Sequence, residues 1–281
     1  MRKVFCEVLG TELNLPEKCE RIVSLSPAVT EALFEMGLGD KVVGVSTFCV
    51  HPPEAFKKPH VGSYNKIKHK LLKKLNPDLI FTTTGYQRQM AIELSKEYPV
   101  YAIPLPPTIS HIISFCTEVG IVAGYVQNAR ELQKKLLKHV GSINPVHKPI
   151  SVYLEIDLGG PVSFGMYSYI TDALGFVGLK SISGHKPVEW LMPEPKEIIK
   201  SNPDIIIYEP KMFSKKNRTL DEVIALFEKR GLSHLEAVKK RRIIITPVET
   251  DYIAHHGPSF ITKVLPWIVK SVNTLIKQNA L

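Results

Sequence analysis

The sequence predicts an α/β protein of two similar lobes joined by a single long helix, and three observations carry that prediction. Short β-rich runs alternate with helical patterns in both halves of the chain. One helical periodicity runs unbroken through the middle, and two segments recur in the same order on either side of it.

In chain order, Arg21-Ile22-Val23-Ser24-Leu25 reads as a short buried strand. Ser26 and Pro27 then supply an N-cap and a first helical residue, and Gly37 supplies the stop. Residues 42–45, 79–82 and 100–103 read as further strands, separated by helical patterns, which argues for parallel layers. From about 118 to 140, Val122, Tyr125, Val126, Ala129, Leu132, Leu136 and Val140 recur at helical steps, predicting one rod about 35 Å long. Residues 151–156 open a second α/β region. The expected boundaries are a first lobe over 1–117, a linking helix over 118–146 and a second lobe over 147–281.

The repeats are specific. Asn76-Pro77-Asp78-Leu79-Ile80 returns as Asn202-Pro203-Asp204-Ile205-Ile206, an offset of 126, each copy leading from a helical run into an apolar strand. Residues 30–38 match 171–179 at five of nine positions, with Glu31 against Asp172. The lobes are therefore expected to be Rossmann-like copies of one another, with a ligand cleft beyond the carboxyl ends of their strands. Counting back 12 residues from each repeated Asn gives Tyr64 and Trp190, two aromatics at matching register that suit a flat ligand.

Composition narrows the function classes. With 44% apolar and 22% charged residues the 281-residue chain has room for two domains and no extended disorder. No apolar run approaches the roughly 18 residues of a membrane span. A net charge of +9 suits an anionic partner without naming one. Cys6, Cys19, Cys49 and Cys116 lack paired spacing, so free buried thiols are expected rather than a zinc or disulfide scaffold. The apolar stretch Val4-Phe5-Cys6 falls short of the roughly 7–15 residues of a secretory signal. A cytoplasmic protein is the expectation, with an extracytoplasmic one whose signal has been removed as the alternative.

No nucleophile elbow, zincin or phosphate-loop motif occurs, so no catalytic residue is assigned. His255 is a weak metal-ligand candidate, since His255 and His256 are adjacent and only one can face a ligand. The basic run Lys239-Lys240-Arg241-Arg242 reads as a charged guard beside the strand that follows; with no reading motif, a nucleic-acid-binding module is only a third reading.

Residues 21–31 and 42–46, together with Val61-Gly62-Ser63-Tyr64, the Asn-Pro-Asp strand, residues 152–157 and Gly257-Pro258, resemble the vitamin B12- and ferric-siderophore-binding proteins of ABC importers, the class III binding proteins with a helical backbone. The resemblance covers nearly the whole chain and implies a non-catalytic protein holding a corrinoid such as cobalamin or cobinamide between its lobes. A ferric siderophore or haem is the alternative ligand, and no resident cofactor is implied. It assigns ligand contacts to Ser26, Pro27, Phe48, Tyr64, Thr83, Thr84 and Gly85 in the first lobe. In the second it assigns Trp190, Asp251 and Tyr252, while Glu155 and Asp157 read at least as well as structural residues. Importer-coupled members carry an exposed Glu on each lobe for docking onto the permease. The equivalent register here holds Lys70 and Lys196, with Glu197 reachable only by a shifted alignment. Both signs are inverted, which argues against permease docking and for a monomeric binder uncoupled from transport.

Overall fold

A computed structural model describes residues 1–63, 66–247 and 249–279, and the chain divides into two compact units. The first comprises Met1–Pro106, Ser110–His139 and Gly257–Ser259; the second comprises Pro107–Ile109, Val140–His256 and Phe260–Leu281.

The first unit opens with an antiparallel hairpin, β1 (Arg2–Cys6) and β2 (Thr11–Leu15). The apolar stretch weighed as a signal is thus a strand, with Cys6 buried and its thiol 3.7 Å from the Ala102 carbonyl. Next come β3 (Ile22–Ser24), α1 (Pro27–Glu35), β4 (Val42–Ser46), α2 (Pro53–Phe56), β5 (His60–Gly62) and α3 (His69–Leu75). Then follow β6 (Leu79–Thr83), α4 (Arg88–Leu94) and β7 (Val100–Ile103). The five strands pair in parallel in the order β5-β4-β3-β6-β7, the doubly wound arrangement that alternating strand and helix patterns predict.

The expected single rod is two helices, α5 (Ile109–Ala123) and α6 (Val126–Gly141). Gly124 separates them at φ +90°, where a Cβ would stand 2.1 Å from the Glu17 carbonyl oxygen, so only glycine fits. The apolar stripe concealed the break because Val122, Tyr125, Ala129 and Leu132 are buried on both sides of it. Val126, counted in the stripe, is 52% exposed. Tyr125 fixes the joint by donating its hydroxyl to the Cys19 carbonyl at 3.1 Å and to Glu20 at 2.9 Å.

The second unit runs β8 (Ile150–Asp157), β9 (Pro161–Phe164), α7 (Tyr169–Phe176), β10 (Leu179–Ser181), β11 (Trp190–Leu191) and α8 (Pro195–Ser201). It continues with β12 (Ile205–Glu209), α9 (Leu220–Lys229), α10 (Glu236–Lys239) and β13 (Ile243–Ile245). A π-helical turn at Phe260–Val264 leads into α11 (Leu265–Asn279). Strands β8, β10, β12 and β13 are parallel, whereas β9 and β11 extend the sheet antiparallel. That extension departs from the all-parallel expectation because Asp157 accepts from the Gly159 amide at 2.8 Å and folds β8 back on itself. Tyr153, Tyr208 and Phe227 form the aromatic centre of this unit's core, with edge-on ring contacts of 5.9 and 6.4 Å.

The repeats are real structural copies. Asn76 and Asn202 both end their helices in the left-handed region, at φ 44° and 39°. The Asp78 carboxylate accepts the Glu20 and Arg21 amides, and the Asp204 carboxylate accepts the Ser151 amide and hydroxyl. Each aspartate thus ties the strand it opens to the strand beside it. Glu31 and Asp172 also act alike: Glu31 accepts from the Ser259 amide and hydroxyl, and Asp172 from the Ile109 amide. Both carboxylates sit at the start of a long helical segment, where negative charge is favourable.

Replacing Asp204 with Ala leaves the Ser151 groups without their acceptor at a partly buried turn. Urea unfolding should show a loss of about 1–3 kcal/mol, with the slope of the transition unchanged.

Candidate functional site

In parallel sheets, residues just past the carboxyl ends of the strands are free of ladder duties and available for binding. In the first unit those ends bring together Ser26 and Pro27 after β3, Phe48 after β4, and Thr83, Thr84 and Gly85 at the end of β6. Tyr64 lies outside the described residues.

Ser26 is the N-cap of α1 but makes no side-chain cap, and no acidic residue stands in the first turn. Its carbonyl instead accepts from the Thr30 hydroxyl at 3.0 Å and from Ser24 Oγ at 3.0 Å. The positive end of this nine-residue helix therefore has no counter-charge of its own. The equivalent helix of the second unit differs: Ser168 caps α7 by accepting from the Ile170 amide, and Asp172 stands in its first turn.

The two threonines shape their loop. Gln87 is 2% exposed, and its carbonyl oxygen accepts from the Thr83 amide at 3.0 Å and hydroxyl at 3.2 Å. Its amide nitrogen donates to the Leu25 carbonyl at 2.7 Å, locking the β3 and β6 ends together. Thr84 Oγ1 accepts from the Leu105 amide at 3.0 Å, which leaves Gly85 as the exposed point of the turn. Phe48 is half-buried, its amide held by Ser46 Oγ at 3.3 Å. Gln87 was not foreseen; the signal was a lone amide side chain four residues past a strand that ends in threonines.

In the second unit Trp190 stands on β11 opposite Phe164 and is 53% exposed. It does not pack into a core. Tyr167, bonded through its amide to the Val188 carbonyl, is 56% exposed beside it, and Met192 is 71% exposed. Leaving large apolar side chains in water at one spot is costly, which marks a contact surface.

Asp251 and Tyr252 lie on the loop after β13, and buried Glu209 at the end of β12 organises that loop. Its carboxylate accepts the Ile253 amide at 2.5 Å and the Ala254 amide at 3.2 Å. The Tyr169 hydroxyl donates to the Ile253 carbonyl at 2.9 Å, and the Tyr252 ring meets Trp267 edge-on at 5.3 Å. Burial raises the Glu209 pKa to about 7, with Asp251 adding to the rise against the amide bonds. Burial likewise raises Asp251, partly offset by His255. His256, edge-on to Tyr169 at 5.9 Å, is lowered to about 3 by burial, with His255 contributing. The cue for Glu209 was a lone charge ending the apolar run Ile205-Ile206-Ile207-Tyr208.

Several other candidates take structural parts. Glu155, 1% exposed, accepts from Arg230 Nη1 at 2.7 Å and from the Tyr153 hydroxyl, and Asp157 makes the β8 turn. Lys239 and Lys240 share Glu236, and Arg241 pairs with Asp221, so two carboxylates offset half of that run's four charges. All four cysteines are free and buried. His255 is buried, and no group of three or more metal-ligating side chains occurs among the described residues.

Glu209 makes stability depend on pH with a definite sign. Its folded pKa lies above the unfolded value of 4.5, so the folded state binds more protons between about pH 4.5 and 7. The Glu209 contribution to stability should fall as pH rises through that window, by at most about 1.4 kcal/mol per pH unit, while His256, whose folded value lies below its unfolded one, contributes in the opposite sense up to about pH 6.5. Thermal unfolding of Glu209→Gln should therefore show stability rising more steeply with pH between about 4.5 and 6.5 than in the parent, and an unchanged pH profile contradicts the assignment.

Three comparisons place this architecture among known proteins. An uncharacterized ABC transporter substrate-binding lipoprotein of Bacillus subtilis (strain 168) is 27% identical over 266 residues, covering 90% of this chain and 80% of that one. A vitamin B12-binding protein of Yersinia pestis (strain Pestoides F) is 25% identical over 203 residues, covering 69% of this chain and 71% of that one. Among solved structures, a possible iron-binding (periplasmic solute-binding) protein of Staphylococcus epidermidis shares the fold with a TM-score of 0.74 at 24% identity, over 91% of this chain and 99% of that one. The sequence pattern of the family described as periplasmic binding protein matches residues 22–250, from the first strand of the first sheet to the loop holding Asp251, and the chain belongs to that family.

Proposed function

We propose that this chain is a non-catalytic binding protein whose ligand is a corrinoid. The observation that carries the reading is Trp190, a large ring held half-exposed on a two-residue strand among other exposed apolar side chains. A flat ligand of large apolar area would cover it, and a ring gives that contact at little entropic cost. Phe48, Tyr64 and Tyr252 add further apolar faces, and Asp251 a polar one. The uncapped start of α1 suits an amide carbonyl or an anionic group on the ligand's rim. A relative named as vitamin B12-binding supports the class of ligand.

We further propose that the protein acts without docking onto a permease. Lys70 and Lys196 are exposed on α3 and α8. Glu197, the one acid a shifted alignment could offer, is already paired with Lys186.

A second reading is the substrate-binding component of an ABC importer for a ferric siderophore, haem or cobalamin, and the relative named as an ABC transporter substrate-binding lipoprotein favours its importer part. Titration with cobinamide, cobalamin, haem and ferric siderophores tests the ligand class, and the proposal predicts that the corrinoids bind. Trp190→Ala and Tyr64→Ala should each weaken corrinoid binding by about 1–3 kcal/mol. Silence across the panel, or unchanged affinity in both variants, contradicts the proposal.

A further inference from the structure

Between residues 55 and 77 the sequence places seven lysines and two histidines, with no Asp, Glu or Arg. Six of those lysines are exposed, and among the described residues none of the seven pairs with a carboxylate. The fold gathers them on one side of the first unit. Strand β5 is the edge of its sheet. Lys66 and Lys68 lie alongside it through the Ser63 amide to Lys66 carbonyl bond and the Lys68 amide to Val61 carbonyl bond, both 2.8 Å. Helix α3 begins at the next residue, adding Lys70, Lys73 and Lys74, with Leu72 as its buried anchor. Where β5 begins, Phe56 is 53% exposed, its ring edge-on to His60 at 4.9 Å and its carbonyl 2.9 Å from His60 Nε2. In the basic run at 239–242, by contrast, Glu236 and Asp221 pair with three of the four cations and offset half of their charge.

A face of unpaired, flexible point charges beside an exposed phenyl ring has a particular chemistry. Discrete carboxylates or phosphates are best gripped by the planar fork of arginine, which this segment lacks. Lysines instead suit a diffuse layer of negative charge, and an aromatic ring suits the boundary between headgroups and acyl chains. We propose that the face built by residues 56–74, from the end of α2 past Glu54 through β5 and along α3, binds the surface of an anionic phospholipid bilayer. The ligand's identity does not enter this argument, and the two proposals stand or fall separately.

Co-sedimentation of the whole chain with vesicles tests it. Vesicles of phosphatidylcholine alone should not retain the protein, whereas those with about 30 mol% phosphatidylglycerol should. Raising salt from about 0.1 to about 0.5 M should weaken that retention by about tenfold or more. Lys66→Glu/Lys70→Glu/Lys73→Glu should lower the partition coefficient by about a hundredfold, at about fivefold per site. If circular dichroism shows that variant unfolded, the matching Lys→Gln set replaces it, with a smaller loss in the same direction. Phe56→Ser should lower partitioning several-fold and leave its salt dependence intact, and Lys239→Glu/Lys240→Glu should change nothing. Equal binding to both vesicle types, no binding to either, or full binding by the triple variant overturns the proposal. So does preferential capture by an acidic polypeptide or oligonucleotide with Phe56→Ser without effect, which would identify a soluble polyanion as the partner.

Discussion

Parallel strands gain nothing from a hairpin, so something else must set their register, and in this protein two aspartates do so. Asp78 holds β6 against the chain entering β3, and Asp204 holds β12 against the first residues of β8. Each carboxylate collects donors at the amino end of its sheet. Because the strands run together from there, the register fixed at one end is delivered to the other. In the first unit that brings Leu25 level with Phe81 and lets Gln87 tie the two loops. In the second it brings Glu209 opposite Ile156, where it gathers the Asp251–Tyr252 loop. The loops that follow β3, β6 and β12 are therefore placed by a turn at the opposite end of each sheet.

Much of this was legible in the chain. The Asn-Pro-Asp repeat announced the device, because a left-handed Asn followed by Pro forces the turn and Asp supplies the acceptor. Ser26, Pro27 and Gly37 marked the ends of α1, which runs Pro27–Glu35. Helix periodicity misled at 118–140, since a stripe of buried residues says nothing of a backbone kink in step with it. The cue was Gly124 itself, within the stripe. The β9–β11 extension went unseen because its strands are only four and two residues long, too short for alternation to register. Trp190 was singled out by the repeat register and by the family resemblance, and the structure shows it exposed. The threonines at 83 and 84 entered as candidate contacts through the resemblance; their part as turn-builders was not legible, because their partners Gln87 and the Leu105 amide are set by the fold.

The two units share a plan but divide the chemistry. Helix α1 starts without a cap or an acid, while α7 carries both Ser168 and Asp172. The first unit thus offers an electropositive backbone end, and the second an exposed ring and a loop shaped by a buried carboxylate.

Hydrogen–deuterium exchange with and without cobinamide tests most directly whether both units serve one ligand. The account predicts slower exchange at Ala28–Val29, Phe48 and Gly85 in the first unit and at Trp190 and Tyr252 in the second, all saturating at one ligand concentration. Protection confined to a single unit, or two sets of loops saturating at different concentrations, would contradict it.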